Sequence, residues 1–180
     1  MTSRSWSPEL YRAALVFAAE AHGGQKVPGS ERPYVTHPVE VAAELCAAML
    51  VDPVSDPDLA VQCALLHDTV EDTSVRVEDL AARFGAAVAR GVAALSKDPT
   101  LPKHARMGDS LRRIRDEPRE VWMVKLADRI VNLSHPPSYW TDEKIDGYRV
   151  EAVEIADALG AASAVLEARI RAKILAYGRR

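Results

Sequence analysis

The sequence has no long hydrophobic run, no surplus of positive charge and almost no cysteine. No stretch approaches the roughly 20 consecutive apolar residues that a membrane-spanning helix needs, and the N-terminal MTSRSWSPEL lacks the apolar segment of a signal peptide. The 180 residues carry 23 Lys and Arg against 26 Asp and Glu, a formal net charge of -3, which argues against a basic surface that grips nucleic acid. We therefore expect a cytoplasmic protein that binds neither a membrane nor nucleic acid.

The two cysteines, Cys46 and Cys63, both lie in apolar, Ala-rich segments. These surroundings predict small core residues in a reducing compartment, and a disulfide between the two is the less favoured alternative. A thiolate metal centre is not expected from so few cysteines. Any metal site must therefore use other side chains.

Apolar residues make up 48% of the chain, and they recur at helical spacing from the N-terminus to the C-terminus. No segment longer than a few residues alternates apolar and polar side chains as a half-buried strand does, and no internal repeat is present. A chain of 180 residues is long enough for one well-packed core and too short for two comfortable ones. The sequence predicts an all-α helical bundle with a single domain over residues 1–180.

Prolines, glycines and capping residues predict where several helices begin and end. The expected signals are Ser7 with Pro8 and an end near His22 for the first helix, Thr36 with Pro38 for the second, Thr73 and Ser74 with Gly85 for a short helix, Thr141 as a cap, and Gly160 between the last two helices. At the end of the first helix, His22 has two interpretations of equal weight, a cation favoured by the helix dipole or a residue that lines a pocket.

The most unusual stretch is ALLHDTVED, in which an apolar run ends in His67, Asp68, Glu71 and Asp72. On a continuous helix, residues four apart share a face, so we expect His67 to lie over Glu71 and Asp68 over Asp72. An exposed helix end followed by an acidic loop is the plainer alternative. Packing alone gives no reason for so many polar groups next to an apolar run, because an unpaired buried charge is costly.

Two other helices contribute polar residues of the same kind. His37 lies at a helix start, where an ordinary surface histidine is the simplest interpretation. The segment REVWMVKLADRIVNL is apolar nearly all round, which predicts a helix in the middle of the core. Its exceptions include Lys125, Asp128 and Asn132, and we favour a role in a site over a surface ion pair between Lys125 and Asp128.

Together, His37, His67, Asp68 and Asp128 form a set of nitrogen and oxygen donors without sulfur. Such a set suits Mn2+, Fe2+, Co2+ or Zn2+ better than Ca2+ or Mg2+. Four protein ligands leave positions for water and substrate only on an ion that accepts five or six, which favours Mn2+ over tetrahedral zinc. The sequence therefore predicts an Mn2+ site, with another divalent transition metal as the alternative.

Glu71 and Asp72 follow the predicted ligands by one helical turn. Carboxylates in that place can orient or deprotonate a water and hand a proton to a leaving oxygen, so we assign them the catalytic roles. Hydrolysis of a phosphoester is the reaction class that such a centre favours.

Four motifs in this order, AHGGQ, PYVTHP, ALLHDTVEDT and VKLADRIVNL, resemble those of HD-domain phosphohydrolases. They are most similar to the hydrolase domain of RelA/SpoT enzymes and to the free-standing small alarmone hydrolases that include the metazoan SpoT homologue. The resemblance runs from about Ala21 to Tyr148 and includes the loop TLPK.

The resemblance implies an all-helical, Mn2+-dependent enzyme that removes the 3′-pyrophosphate of guanosine tetra- or pentaphosphate. It also implies that Asn132 contacts the nucleotide and that Tyr148 lines its pocket. Lys26, Lys97 and Lys103, all in predicted loops, are our remaining candidates for binding the substrate.

One stretch departs from the family pattern. Family members usually carry an Arg-Lys type pair between the Gln and the Pro-Tyr, whereas this chain has KVPGSER, with Lys26 and Arg32 as its only cations. The alternatives are therefore an HD-type hydrolase of an adenosine alarmone, of the NADPH 2′-phosphate or of a nucleoside monophosphate, and a non-catalytic nucleotide sensor. Glu71 and Asp72 speak against the sensor, because a sensor needs no water-activating pair. The sequence predicts no oligomeric state.

Overall fold

A computed structural model of the chain describes residues 5–178. In that part the chain forms ten α-helices and two short 3₁₀ turns without a β-strand, and only an isolated bridge joins Lys26 to Pro33. The helices are α1 (Pro8–Ala21), α2 (Thr36–Met49), α3 (Pro57–Leu66), α4 (Thr69–Asp72), α5 (Val77–Phe84), α6 (Ala86–Leu95), α7 (Arg106–Arg115), α8 (Arg119–Asn132), α9 (Asp142–Leu159) and α10 (Ala164–Ala176). The predicted all-α fold is confirmed.

The centre of the bundle is the pair α3 and α8. All of α3 except Asp58 is buried, and the buried part of α8 extends from Glu120 to Ile130 with only Trp122 partly exposed. Helix α3 packs against α1, α2, α6 and α8, while α8 also contacts α2, α9 and α10. The prediction of a core helix at α8 is confirmed, and the polar residues of these two helices therefore lie inside the bundle.

Three of the predicted helix boundaries are confirmed by their capping contacts. The Ser7 hydroxyl accepts a hydrogen bond from the Leu10 N–H at 3.4 Å, and the Thr141 hydroxyl accepts one from the Lys144 N–H at 3.3 Å. Gly85 ends α5 with a φ of 89°, a conformation that side chains with a Cβ rarely adopt.

Two predicted caps are wrong. Thr36 is already the first residue of α2, and its hydroxyl donates a hydrogen bond to the Pro33 carbonyl at 2.8 Å. Helix α5 is capped by Arg76 rather than by Thr73 and Ser74, because the Arg76 N–H donates to the Asp79 carboxylate at 3.0 Å. The Thr36 bond reaches back to the turn before α2, whereas the Arg76 bond reaches forward into the first turn of α5.

Gly91 lies where α6 passes close to α3 and α8. A Cβ at this position would lie 2.8 Å from the Cys63 sulfur and 3.1 Å from a Val121 methyl group, so the close approach requires glycine. Cys63 is buried as predicted and Cys46 is only partly buried; both are free thiols, so the alternative of a disulfide is excluded. Among the residues described, no helix has the length and apolar character to cross a membrane.

Candidate metal centre and substrate cavity

His37 turns inward from the first turn of α2. Its N–H donates to the Tyr34 carbonyl at 2.8 Å, and its side chain is only 7% exposed, so it is not an ordinary surface histidine. The imidazole Nε2 lies 3.5 Å from Asp68 Oδ2 and 3.4 Å from Asp128 Oδ1. The start of α2 therefore brings one nitrogen donor to two carboxylates from other elements.

His67 follows the last residue of α3 and is also buried. Its Nδ1 lies 2.8 Å from the Ala64 carbonyl, to which it donates a hydrogen bond in the tautomer that this contact favours. The lone pair then belongs to Nε2, which lies 2.9 Å from Asp68 Oδ2 and 3.7 Å from Asp128 Oδ1. The contact with Ala64 therefore directs Nε2 toward the two carboxylates.

The chain from α3 to α4 is not the continuous helix that we predicted. It is interrupted at His67 and Asp68, where the Thr69 hydroxyl donates to the Leu66 carbonyl at 2.7 Å. His67 faces the carboxylates of Asp68 and Asp128, whereas the Glu71 carboxylate contacts Lys97. Among the described residues, no hydrogen bond or ion pair joins His67 to Glu71.

Asp128, on the inner face of α8, is held by two neighbours on the same helix. Lys125 Nζ donates to Asp128 Oδ2 at 2.9 Å, and Asn132 Nδ2 donates to Asp128 Oδ1 at 2.5 Å. The Lys125 and Asp128 side chains are each only 8% exposed, so the pair is buried and is not a surface ion pair. Burial alone would raise the pKa of Asp128, but Lys125 and the two imidazoles outweigh it and hold that pKa well below its usual range.

His37, His67 and Asp128 form a set that can hold a single divalent ion, and Asp68 lies beside both imidazoles without belonging to that set, so all four groups converge. Their nitrogen-to-oxygen distances lie between 2.9 and 3.7 Å, close to the about 3 Å expected for neighbouring donors that are each about 2.1 Å from one ion. One donor atom each of His37, His67 and Asp128 lies within 4.8 Å of the other two. Within residues 5–178, His67 Nε2 is buried without a hydrogen-bond partner although Asp68 is near, which is the arrangement of two atoms that share an ion.

Protons compete with a metal ion for this centre. Burial lowers the pKa of His67, but Asp68 and Asp128 outweigh it and raise that pKa well above its usual value. Because the ion binds the neutral imidazole, we expect its affinity to rise with pH through the raised pKa, beyond the about 6.5 of an ordinary histidine. Calorimetry of Mn2+ binding in buffers of different ionisation enthalpy should detect proton release. A pH-independent affinity without proton release from about pH 6 to about pH 8 would contradict this expectation.

Tyr34 joins the centre to Asp72, and sequence reasoning missed it. Its hydroxyl donates to Asp68 Oδ2 at 2.6 Å and lies 3.3 Å from Asp72 Oδ2, so Asp68 and Asp72 share a face as expected. Partial burial, followed by the nearby carboxylates, raises the pKa of Tyr34 and keeps it a proton donor. Its only signal in the sequence is its place in PYVTHP, three residues before His37.

Glu71 and Asp72 lie beside the centre on α4, but their carboxylates point to different neighbours. The Lys97 N–H donates to Glu71 Oε2 at 2.8 Å, and Lys97 Nζ lies 3.7 Å from Glu71 Oε1. Partial burial raises the pKa of Asp72, and the negative charges of Asp68 and Glu71 raise it further. A raised pKa makes Asp72 a better candidate for a proton-sharing role than an ordinary aspartate.

A cavity of about 550 Å³ opens next to the metal centre. His37, Asn132 and Tyr148 line it, so the structure brings these two predicted nucleotide contacts beside a predicted ligand. Two side chains pack against Tyr148: the Arg129 guanidinium lies 4.0 Å from its ring centroid, and the centroid of the Trp140 ring, which also lines the cavity, lies 5.2 Å away. A volume of this size is in the range of small-molecule sites.

The three predicted lysines do not line this cavity. Lys26 forms an ion pair with Glu31 on the exposed loop, Lys97 lies at Glu71, and Lys103 begins an exposed 3₁₀ turn. The cavity instead includes Arg32, which forms an ion pair of 2.5 Å with Glu40.

The sequence is similar to a protein family and to enzymes of known name. A protein-family model described as HD domain matches residues 14–161. The guanosine-3′,5′-bis(diphosphate) 3′-pyrophosphohydrolase MESH1 of Danio rerio is 34% identical over 167 residues, which cover 90% of this chain and 91% of that protein. The protein of the same name from Homo sapiens is 32% identical over 164 residues, covering 88% and 89%.

A solved structure is also similar over nearly the whole chain. It is described as a metazoan ortholog of SpoT that hydrolyses ppGpp and plays a role in starvation responses. The two structures superpose with a TM-score of 0.83 at 28% sequence identity, covering 97% of this chain and 99% of the other.

Proposed function

The chain belongs to the HD-domain family, and on that premise we propose that it hydrolyses the 3′-pyrophosphate of guanosine tetra- or pentaphosphate with a bound Mn2+. The observation that carries the proposal is the convergence of His37, His67, Asp68 and Asp128 beside a cavity of about 550 Å³ that His37 lines. The relatives named for this activity match the chain over most of its length.

The four ligands supply two neutral nitrogens and two negative oxygens, which favours Mn2+ in a coordination of five or six. When bound, such an ion polarises a phosphoryl oxygen and lowers the pKa of a coordinated water. Lys125 and Asn132 fix Asp128, and Tyr34 fixes Asp68, so neither carboxylate has to reorganise when the ion binds.

The reaction joins the oxygen of a water to the phosphorus of the 3′-pyrophosphate and breaks the bond from that phosphorus to the ribose 3′ oxygen. We assign Glu71, on the short helix that directly follows His67 and Asp68, to accept the proton of the water. We assign Asp72, whose pKa is raised, to return a proton to the 3′ oxygen. The products are pyrophosphate and the guanosine 5′-diphosphate or 5′-triphosphate.

The nucleotide itself would occupy the cavity next to the ligands. Asn132 and Tyr148 are placed to contact the ribose and base, and Arg32 is the cation available to the phosphates there. Arg32 thus replaces Lys26 and Lys103, which the sequence predicted as substrate-binding candidates, while Lys97 stays a candidate because it lies at Glu71.

The test is a panel of phosphorylated nucleotides, assayed with Mn2+ and scored for pyrophosphate against orthophosphate. The panel contains guanosine and adenosine 3′-pyrophosphates, NADPH and nucleoside monophosphates. We expect pyrophosphate from the guanosine compounds with the highest kcat/KM. Release of orthophosphate from NADPH or from a monophosphate at a higher kcat/KM would overturn the proposal, and binding without any turnover would favour the sensor.

A further inference from the structure

The AHGGQ segment takes no part in the metal centre, yet His22 is almost fully buried, at 3% exposure. His22 caps the end of α1, and its Nδ1 lies 2.8 Å from Gln25 Oε1. The other end of the same amide donates from Nε2 to the main-chain carbonyl of Asp72 at 2.9 Å. This segment therefore reaches from α1 to the end of α4.

The direction of these hydrogen bonds follows from the Asp72 carbonyl, which can only accept. Gln25 must present its NH2 group to Asp72 and its oxygen to His22, so His22 carries its proton on Nδ1. The main-chain contact at Asp72 thereby fixes both the Gln25 amide and the His22 tautomer.

Tyr34 completes the contacts around Asp72. Its N–H donates to the Gln25 carbonyl at 2.9 Å, and its ring stacks on the His22 ring with centroids 4.6 Å apart. Its hydroxyl lies 3.3 Å from Asp72 Oδ2. Asp72 is thus held at its main chain by Gln25 and approached at its side chain by Tyr34.

Asp72 needs such support because of its position in the chain. Helix α4 has only four residues, Asp72 is the last of them, and Thr73 already has an extended backbone. One isolated helical turn is not stable by itself, since nucleation of a helix is unfavourable. The place of the Asp72 carboxylate therefore depends on contacts from outside the helix.

We propose that His22 and Gln25 are positioning residues that hold Asp72 in place for its proton transfer. The inference rests on the proposed role of Asp72 in hydrolysis. It assigns to the AHGGQ motif a role in positioning Asp72 that is separate from metal binding and from nucleotide binding. Loss of either contact should then slow the chemical step without weakening the binding of the ion or the substrate.

The experiment compares Gln25→Ala and His22→Phe with wild type, using guanosine tetraphosphate and Mn2+. Phenylalanine keeps an aromatic ring next to Tyr34 and removes both ring nitrogens, the Nδ1–H donor among them. We expect kcat to fall about 10- to 100-fold in each variant, with KM and Mn2+ affinity within about twofold of wild type. The double variant should lose no more than either single variant, because both break one network.

Gln62→Ala is the matched control. Gln62 is the other glutamine of the chain, and its Nε2 donates to the Asp58 carbonyl at 3.0 Å within α3, so the control removes the same type of hydrogen bond. We expect it to keep the kcat of wild type.

Wild-type kcat in Gln25→Ala, or a loss of Mn2+ affinity as large as the loss of kcat, would overturn the inference while the proposed function stands. If wild type itself releases no pyrophosphate, the proposed function fails and the inference falls with it. Nitrogen-15 NMR of the histidine rings provides a reading without substrate. It should show His22 protonated at Nδ1 in wild type and lose that signature in Gln25→Ala, and an Nε2-protonated His22 in wild type would also overturn the inference.

Discussion

Asp68→Ala is expected to abolish both metal binding and turnover. Asp68 Oδ2 lies 2.9 Å from His67 Nε2 and 3.5 Å from His37 Nε2, so the substitution removes one of four donors together with its negative charge. The remaining imidazoles and Asp128 provide one carboxylate for a dication. The affinity should therefore fall by more than the about 10- to 100-fold that the loss of an outer-shell partner costs.

Metal analysis after dialysis and calorimetry with Mn2+ would measure this loss. Asp146→Ala is the matched control, because Asp146 lies on α9, has a side chain that is 70% exposed and forms an ion pair with Arg149 on the same helix. The control should retain one ion per chain. If Asp68→Ala also retained one ion with the affinity of wild type, the assignment of Asp68 as a ligand would be refuted.

Glu71→Gln is expected to keep metal and substrate but to lose turnover. The amide retains an oxygen that can accept the Lys97 N–H, which now lies 2.8 Å from Glu71 Oε2, so the local backbone contact can persist. What is lost is the negative charge that accepts a proton from water. General base catalysis contributes about 100- to 10,000-fold, and we expect kcat to fall by that order.

Steady-state kinetics with Mn2+ would separate kcat from KM in this variant. Glu78→Gln offers the control, since Glu78 is an exposed residue in the first turn of α5 and should keep the activity of wild type. An active Glu71→Gln enzyme would show that Glu71 is not the base. A loss confined to Mn2+ affinity would instead move Glu71 from catalysis to metal binding.

The sequence could predict the parts of the structure that depend on residue type and periodic spacing. The core helix α8 is apolar nearly all round, and the caps at Ser7 and Thr141 use the side chains that caps prefer. The candidate ligands could be named because His and Asp side chains interrupt apolar patterns at separate points. Each of these features can be recognised from the residues of a single helix.

The rest depends on contacts between segments that are far apart in sequence. Tyr34 reaches Asp68 across 34 positions, and no local pattern marks it as a hydrogen-bond donor to a ligand. The interruption of the helix at His67 depends on the Thr69 hydroxyl, which takes the Leu66 carbonyl. Gly91 looks like a simple weakness in a helix, whereas its neighbours on α3 and α8 leave no room for a Cβ.

The lysines show a second limit of prediction from the sequence, because the charge of a residue does not show which way its side chain points. Lys26 and Arg32 belong to the same loop, yet Lys26 pairs with Glu31 on its exposed side and only Arg32 lines the cavity. Likewise, Lys97 is held at Glu71 through both its main chain and its side chain. The sequence shows how many cations these loops carry, but it does not show which of them face the cavity.

Anomalous diffraction from crystals grown with Mn2+ tests the convergence of the four ligands most directly. We expect one strong peak at about 2.0 to 2.3 Å from His37 Nε2, His67 Nε2, Asp68 Oδ2 and Asp128 Oδ1. A peak bound by other side chains, with these four atoms pointing to separate places, would contradict it.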